Sequence, residues 1–139
     1  MNKEQIKKQI SDFLKEKEEI ILAYIFGSFV QNENFHDVDI AVYLRKEFDK
    51  NNFKIFPYGY ESGLISDLTS LIRRNVDFVV MNNADITLQQ RIINKGSLLF
   101  SKDEKFRISY ENYIRKLYID AENLRRIKQY YLIKKINNA

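Results

Sequence analysis

Two aspartates two residues apart, Asp37 and Asp39, open the run DVDIAVYL at 37–44, whose other residues are those of a buried strand. Side chains at i and i+2 of a strand point the same way, so the pair offers two carboxylates to one point. A hard cation such as Mg²⁺ favours such an all-oxygen arrangement. A third acid, Asp77, interrupts a second apolar run, NVDFVVM at 75–81, on the face it shares with Val79 and Met81. An ionised carboxylate on a half-buried strand costs several kcal/mol unless it is paired or bound to a cation. Ahead of these acids, Gly27 and Ser28 follow directly on the apolar run IILAYIF. Glycine there lets the backbone approach a ligand closely, and Ser28 as a helix cap would set free N–H groups toward a phosphate. Each feature also has a plainer reading: an aspartate that only begins a turn, a serine that only caps, and an Asp77 paired with Arg73 or Arg74.

The surrounding pattern says which elements must hold these residues. Ile6, Ile10, Phe13 and Leu14 fall at helical spacing, and 20–26 reads as a short strand. In 38–44 the alternation puts Val38, Ile40, Val42 and Leu44 on one face and leaves the aspartates on the other. Residues 45–63 hold the only proline and two of the four glycines among charges and aromatics, the composition of a long loop. Leu64, Leu68, Leu71 and Ile72 mark a helix, 75–81 a third strand, Leu88 and Ile92 a short helix ended by Gly96, and 97–100 a fourth strand. From Asp103 onward Phe106, Tyr110, Tyr113, Leu117, Ala121, Leu124, Ile127 and Tyr131 step by three or four, which predicts one long helix or two broken ones. That spacing assigns Tyr110, Tyr113 and Tyr131 to a core or seam. The expected fold is α/β (α+β), a small mixed sheet of about four strands flanked by helices, with a C-terminal helical tail. One domain is expected over 1–139, with a core at 1–102 and the tail at 103–139.

Composition excludes some chemistry. The chain has no cysteine, so disulfides and thiolate metal sites are ruled out, and a reducing cytoplasm is the expected compartment. No apolar run approaches the ~20 residues of a membrane span, and the first residues read as an amphipathic helix rather than a signal peptide. Lysine and arginine balance aspartate and glutamate over 1–102, at 14 each, whereas 103–139 holds 9 against 5. The excess of positive charge therefore lies in the tail, as a docking surface or as a solvated helix face.

Gly27-Ser28, a short spacer, Asp37-Val38-Asp39 and a later strand bearing Asp77 together resemble the nucleotidyltransferase superfamily that includes DNA polymerase beta. The run VDFVVMNNADITLQQRIINKGSLLFSKDEKFR at 76–107 resembles the minimal nucleotidyltransferase (MNT) antitoxins that are paired with HEPN-domain toxins. The resemblance implies a nucleotidyltransferase fold and transfer of AMP from ATP to a tyrosine of a HEPN toxin, which silences it. It also implies two Mg²⁺ ions, with Asp37 and Asp39 bridging them, Asp77 on the nucleophile side, and Gly27 and Ser28 at the phosphates. By the same resemblance the partner is the toxin, with no nucleic-acid substrate and no membrane. Gln31-Asn32 and His36 stand where such proteins usually carry Arg-Gly and Ser. Two alternatives stand beside this reading: an antitoxin that neutralises by binding alone, and a nucleotidyltransferase acting on a small molecule.

Overall fold

The computed structural model describes residues 1–138; the tail's last residue, Ala139, lies outside them. The first helix, α1 (Lys3–Lys15), starts at Asn2, whose side chain accepts from Gln5 N while the Gln5 side chain accepts from Asn2 N. This reciprocal cap satisfies two of the free donors at the helix start. Then come β1 (Ile20–Phe26), the single-turn α2 (Ser28–Gln31), β2 (Asp37–Leu44), α3 (Tyr60–Ile72) and β3 (Asn75–Val80). A 3-10 turn (Met81–Asn83), α4 (Ile86–Lys95), β4 (Ser97–Ser101) and α5 (Glu104–Asn137) complete the chain. Asp85 and Asp103 are helix caps, accepting from Leu88 N at 2.8 Å and Phe106 N at 3.0 Å.

The strands form one mixed sheet in the order β3-β2-β1-β4, with β2 and β3 parallel and the other pairs antiparallel. Strand β2 is central, and both of its faces are used. Val38, Ile40, Val42 and Leu44 are buried against α1 and α3, in a core with Ile6, Ile10, Leu14, Leu64 and Leu68. On the other face, Ala41 and Tyr43 meet Ile92, Ile93, Tyr110 and Ile114 from α4 and α5. The aspartates share this second face but lie at its other end, beyond Ala41.

Three expectations need correcting. The loop after β2 ends at Gly59, where φ is +93°, and Tyr60 already begins α3. Its aromatics divide, with Phe48, Phe56 and Tyr60 packed at ring-centroid distances of 5.1–5.9 Å, Phe56 and Tyr60 edge to face, and Phe53 and Tyr58 left exposed. The third strand stops one residue early, because Met81 turns into the 3-10 turn while remaining buried. Of the tail tyrosines only Tyr110 is core; Tyr113 and Tyr131 are 60% and 63% exposed. Helical spacing puts all three on one stripe, but the sheet against which that stripe could pack ends near Ile114.

Helix α5 is a single unbroken element, ~50 Å long at 1.5 Å per residue. Its inner part is tied down by buried Glu111, which accepts from Tyr24 OH at 3.1 Å, Arg107 Nη1 at 2.8 Å and Arg115 Nη2 at 3.2 Å. Burial and the adjacent Glu111 push the Tyr24 hydroxyl up, so it remains a donor. Tyr110 OH donates to Gln89 Oε1, and Gln89 Nε2 in turn donates to Ala84 O at 2.7 Å, which joins α5 to the start of α4. Beyond Tyr118 the helix leaves the body, and Ile119, Leu124, Ile127, Tyr130, Ile133 and Ile136 are all more than half exposed.

Candidate active site

The site is built where the helical cover of the sheet stops. In the parallel ladder Asp37 lies opposite Asn75 and Asp39 opposite Asp77, so Asp39 and Asp77 are neighbours across the strands. All three acids are brought to one region, but their surroundings differ. Asp37 and Asp77 are exposed, and only Asp39 is half-buried. The cost of desolvating a carboxylate therefore falls on Asp39 alone. Burial, a hydrogen bond with Asp77, and then the charges of Asp77 and Asp37 push the Asp39 carboxyl up to about 6. Each cause disfavours an anion at Asp39, and a bound cation would reverse the balance.

Asp77 forms no ion pair within 4.0 Å among the described residues. Arg73 ends α3 in the left-handed region at φ 56°, and the Arg74 guanidinium lies 4.6 Å from the Phe35 ring centroid. The pairing offered as the plain alternative for Asp77 is thus absent. Among the described residues no three His, Cys, Asp or Glu side chains are drawn together closely enough to hold a metal as they stand. The donor set itself is suited to Mg²⁺: all oxygen, anionic, and on two adjacent strands of a rigid sheet.

Gly27 closes the site from above. It follows β1 with φ +75° and ψ −151°, and the register sets Phe26 opposite Asp39. A Cβ built on Gly27 would overlap Asp39 Oδ2 and come within 3.0 Å of its Cγ. Glycine is required twice here, for the backbone angle and for the space that the carboxylate fills. Ser28 does not act as the expected cap: Gly27 holds that position, and Ser28 is the first residue of a helix only four residues long. The turn is secured from behind by Lys3 Nζ, which donates to Phe29 O at 2.6 Å and to Asn32 O. His36 is exposed in the loop before β2.

A cavity of about 310 Å³ opens beside these residues, lined by Phe26, Gly27, Ser28, Gln31, Asn32 and Asp39 and, on the far side, by Arg91 and Lys95 of α4. The two cations are not singled out by sequence. The only signal is an Arg and a Lys four residues apart on a short helix, with Ile92 and Ile93 on the buried side and Gly96 behind them. A larger cavity of about 630 Å³ lies at the opposite end of the same face, between Tyr43, the 3-10 turn and α5. Tyr43 is four residues along β2 from Asp39, ~13 Å, so this cavity is separate from the carboxylates.

With this arrangement of turn, sheet and acids, the family described as "Polymerase beta, Nucleotidyltransferase" matches residues 8–105. The chain belongs to the polymerase beta nucleotidyltransferase family. That match spans every strand of this nucleotidyltransferase and ends just inside α5. No curated protein matches it. Among solved structures, it is similar to a chain in the complex of a tri-AMPylated Shewanella oneidensis HEPN toxin with an MNT antitoxin. That likeness has 22% identity and a TM-score of 0.70 and covers 89% of this chain and 92% of the other. A chain of the MntA–HepT toxin–antitoxin is similar at 21% identity and TM-score 0.67, over 88% and 92%. A third, from a toxin–antitoxin with AMP-PNP, gives 23% and 0.69, over 86% and 92%. These likenesses confirm the nucleotidyltransferase fold.

Proposed function

We propose that this chain is the antitoxin of a HEPN/MNT pair and transfers AMP from ATP to a tyrosine of its HEPN-domain toxin. The observation that carries the reading is the shared face of β2 and β3, where Asp37, Asp39 and Asp77 stand together beneath the Gly27 turn. Family membership supports nucleotidyl transfer as the reaction class. Structures of like fold, one in complex with a tri-AMPylated HEPN toxin and one with AMP-PNP, support the choice of acceptor and donor.

In this reaction the tyrosine oxygen attacks the α-phosphorus of ATP, the bond from that phosphorus to the bridging oxygen breaks, and pyrophosphate leaves. The phenol proton passes to Asp77, the exposed acid of the pair. Asp37 and Asp39 would hold two Mg²⁺ ions between them, with Asp77 on the side of the attacking hydroxyl. When bound, the ions lower the pKa of that hydroxyl and stabilise the charge on the triphosphate. Gly27 and Ser28 line the phosphate side, where the absence of a side chain at Gly27 keeps Asp39 clear. The whole of 1–139 acts as one domain, with 1–102 carrying the chemistry and the tail carrying the partner.

The outer half of α5 is the proposed surface for the toxin. Its exposed apolar residues are flanked by Arg125, Arg126, Lys128, Lys134 and Lys135. Two copies of this helix would set like charges against each other, so the surface suits an acidic apolar partner. The same feature supports the second reading, an antitoxin that neutralises by binding alone.

Intact mass separates the readings. The HEPN protein encoded with this chain, incubated with it, ATP and Mg²⁺, should gain one or more AMP units, and that gain should vanish without ATP. A stable complex with no mass gain would favour binding alone. No complex and no gain would remove both antitoxin readings.

A further inference from the structure

We propose that Arg91 and Lys95 form the polyphosphate clamp of this site, gripping the β- and γ-phosphates of the donor nucleotide from α4. The proposal rests on the reading of the chain as an ATP-using nucleotidyltransferase and names the groups that read the triphosphate.

The placement of the two side chains is fixed by the fold. Helix α4 buries Gln89, Ile92 and Ile93 against the sheet and α5, which leaves positions 91 and 95, one turn apart, on a common side. The helix ends at Gly96, whose N–H donates to Ile92 O at 2.8 Å. A Cβ at Gly96 would lie 3.1 Å from Ile25 O and 3.2 Å from Phe26 Cβ, so the end of α4 is pressed onto the end of β1. In the antiparallel register Ile25 pairs with Ser97. Arg91 and Lys95 accordingly line the same cavity as Gly27 and Asp39. The cations thus stand on a helix whose end is pressed onto the strand that leads into the glycine turn.

The chemistry of the cavity then specifies its occupant. Arg91 and Lys95 are its only cations, the near wall offers the amides of Gln31 and Asn32 and the Ser28 hydroxyl, and Asp39 is its only acid. Among the described residues neither cation makes an ion pair within 4.0 Å, although both face a wall containing a carboxylate. A polyanion lying between Asp39 and α4 would satisfy both walls: its reacting phosphate toward the acids, where a bound cation would neutralise the charge, and its remaining phosphates on Arg91 and Lys95. Arg offers a planar fork of donors that matches phosphate oxygens, and Lys a point charge. A volume of about 310 Å³ has room for a triphosphate tail. Both side chains are exposed, so replacing them leaves the core untouched.

The test is binding of Mg-ATP, Mg-AMP and inorganic tripolyphosphate to the full chain and to Arg91→Gln/Lys95→Gln, by calorimetry over a salt series. Mg-ATP and tripolyphosphate should bind ~10²-fold more weakly to the double variant, about tenfold per lost charged contact. AMP affinity should change by no more than about threefold, the salt dependence of ATP binding should flatten, and the melting temperature should be unaltered. Arg91→Lys/Lys95→Arg should recover most of the loss. ATP affinity unchanged in the double variant, or ATP and AMP weakened equally, would overturn the clamp while leaving nucleotidyl transfer standing. A parent chain that binds neither Mg-ATP nor tripolyphosphate would overturn the clamp and the transferase reading together.

Discussion

One face of β2 is handled in two ways along its length. At the Tyr43 end, α4 and α5 lie on the sheet, the buried cluster is apolar and aromatic, and the buried polar groups beside it are paired, as Tyr110 is to Gln89 and Glu111 is to Tyr24, Arg107 and Arg115. At the Asp37 end the cover stops, and three acids share one face with no ion pair to them among the described residues, one with its carboxyl pushed up to about 6. Stability is built at the covered end. The open end holds a half-buried carboxylate at a cost to stability, which the proposed function explains by a bound cation.

The contrast is broken most severely by Asp39→Asn. An amide lacks the charge and the second strong donor oxygen of a bridging ligand, so Mg-ATP binding should weaken and AMP transfer should fall at least ~10³-fold. Without metal the same variant should melt no lower than the parent, because neutralising one of three crowded acids removes repulsion. Calorimetric binding and a thermal melt on one preparation check both halves.

At the covered end the sign reverses. Glu111→Gln keeps the shape but removes the charge that holds two arginines and a buried tyrosine, and should cost about 1–3 kcal/mol in a denaturant titration. Mg-ATP affinity should stay within a few-fold of the parent's. A variant that loses nucleotide binding in proportion to stability would show that the two ends are not independent.

The smallest effect is expected on the outer half of α5. Reversing Arg125, Arg126 and Lys128 to Glu should weaken association with the HEPN protein about tenfold and flatten its salt dependence, with ATP binding intact. Unchanged affinity across a salt series would return these residues to an ordinary solvated face.

Much of this organisation is legible in the sequence, and the parts that are not have physical reasons. Strand β1 and the inward face of β2 follow from alternation and β-branched content, which depend only on local chemistry. The carboxylates stand out because acids on apolar strands are anomalous, and Gly27 because it directly follows one. The role of Ser28 is not legible in the same way, since whether it caps a helix or begins one depends on a backbone angle at its neighbour. Arg91 and Lys95 are ordinary helix-surface residues until the contact of Gly96 with β1 brings them to the site. Tyr113 and Tyr131 show the opposite limit: a stripe at helical spacing tells which side of α5 is apolar, and nothing about where the sheet beneath it ends.

On the proposed function, Asp77 serves chemistry and not stability. The most direct test is the single-turnover rate of AMP transfer by Asp77→Asn at saturating Mg-ATP. The expected result is a fall of at least ~10²-fold, the low end for losing a positioned proton acceptor, with near-normal Mg-ATP affinity and a metal-free melt no lower than the parent's. A transfer rate within a few-fold of the parent's, in a variant that has lost stability, would contradict it and make Asp77 a structural acid.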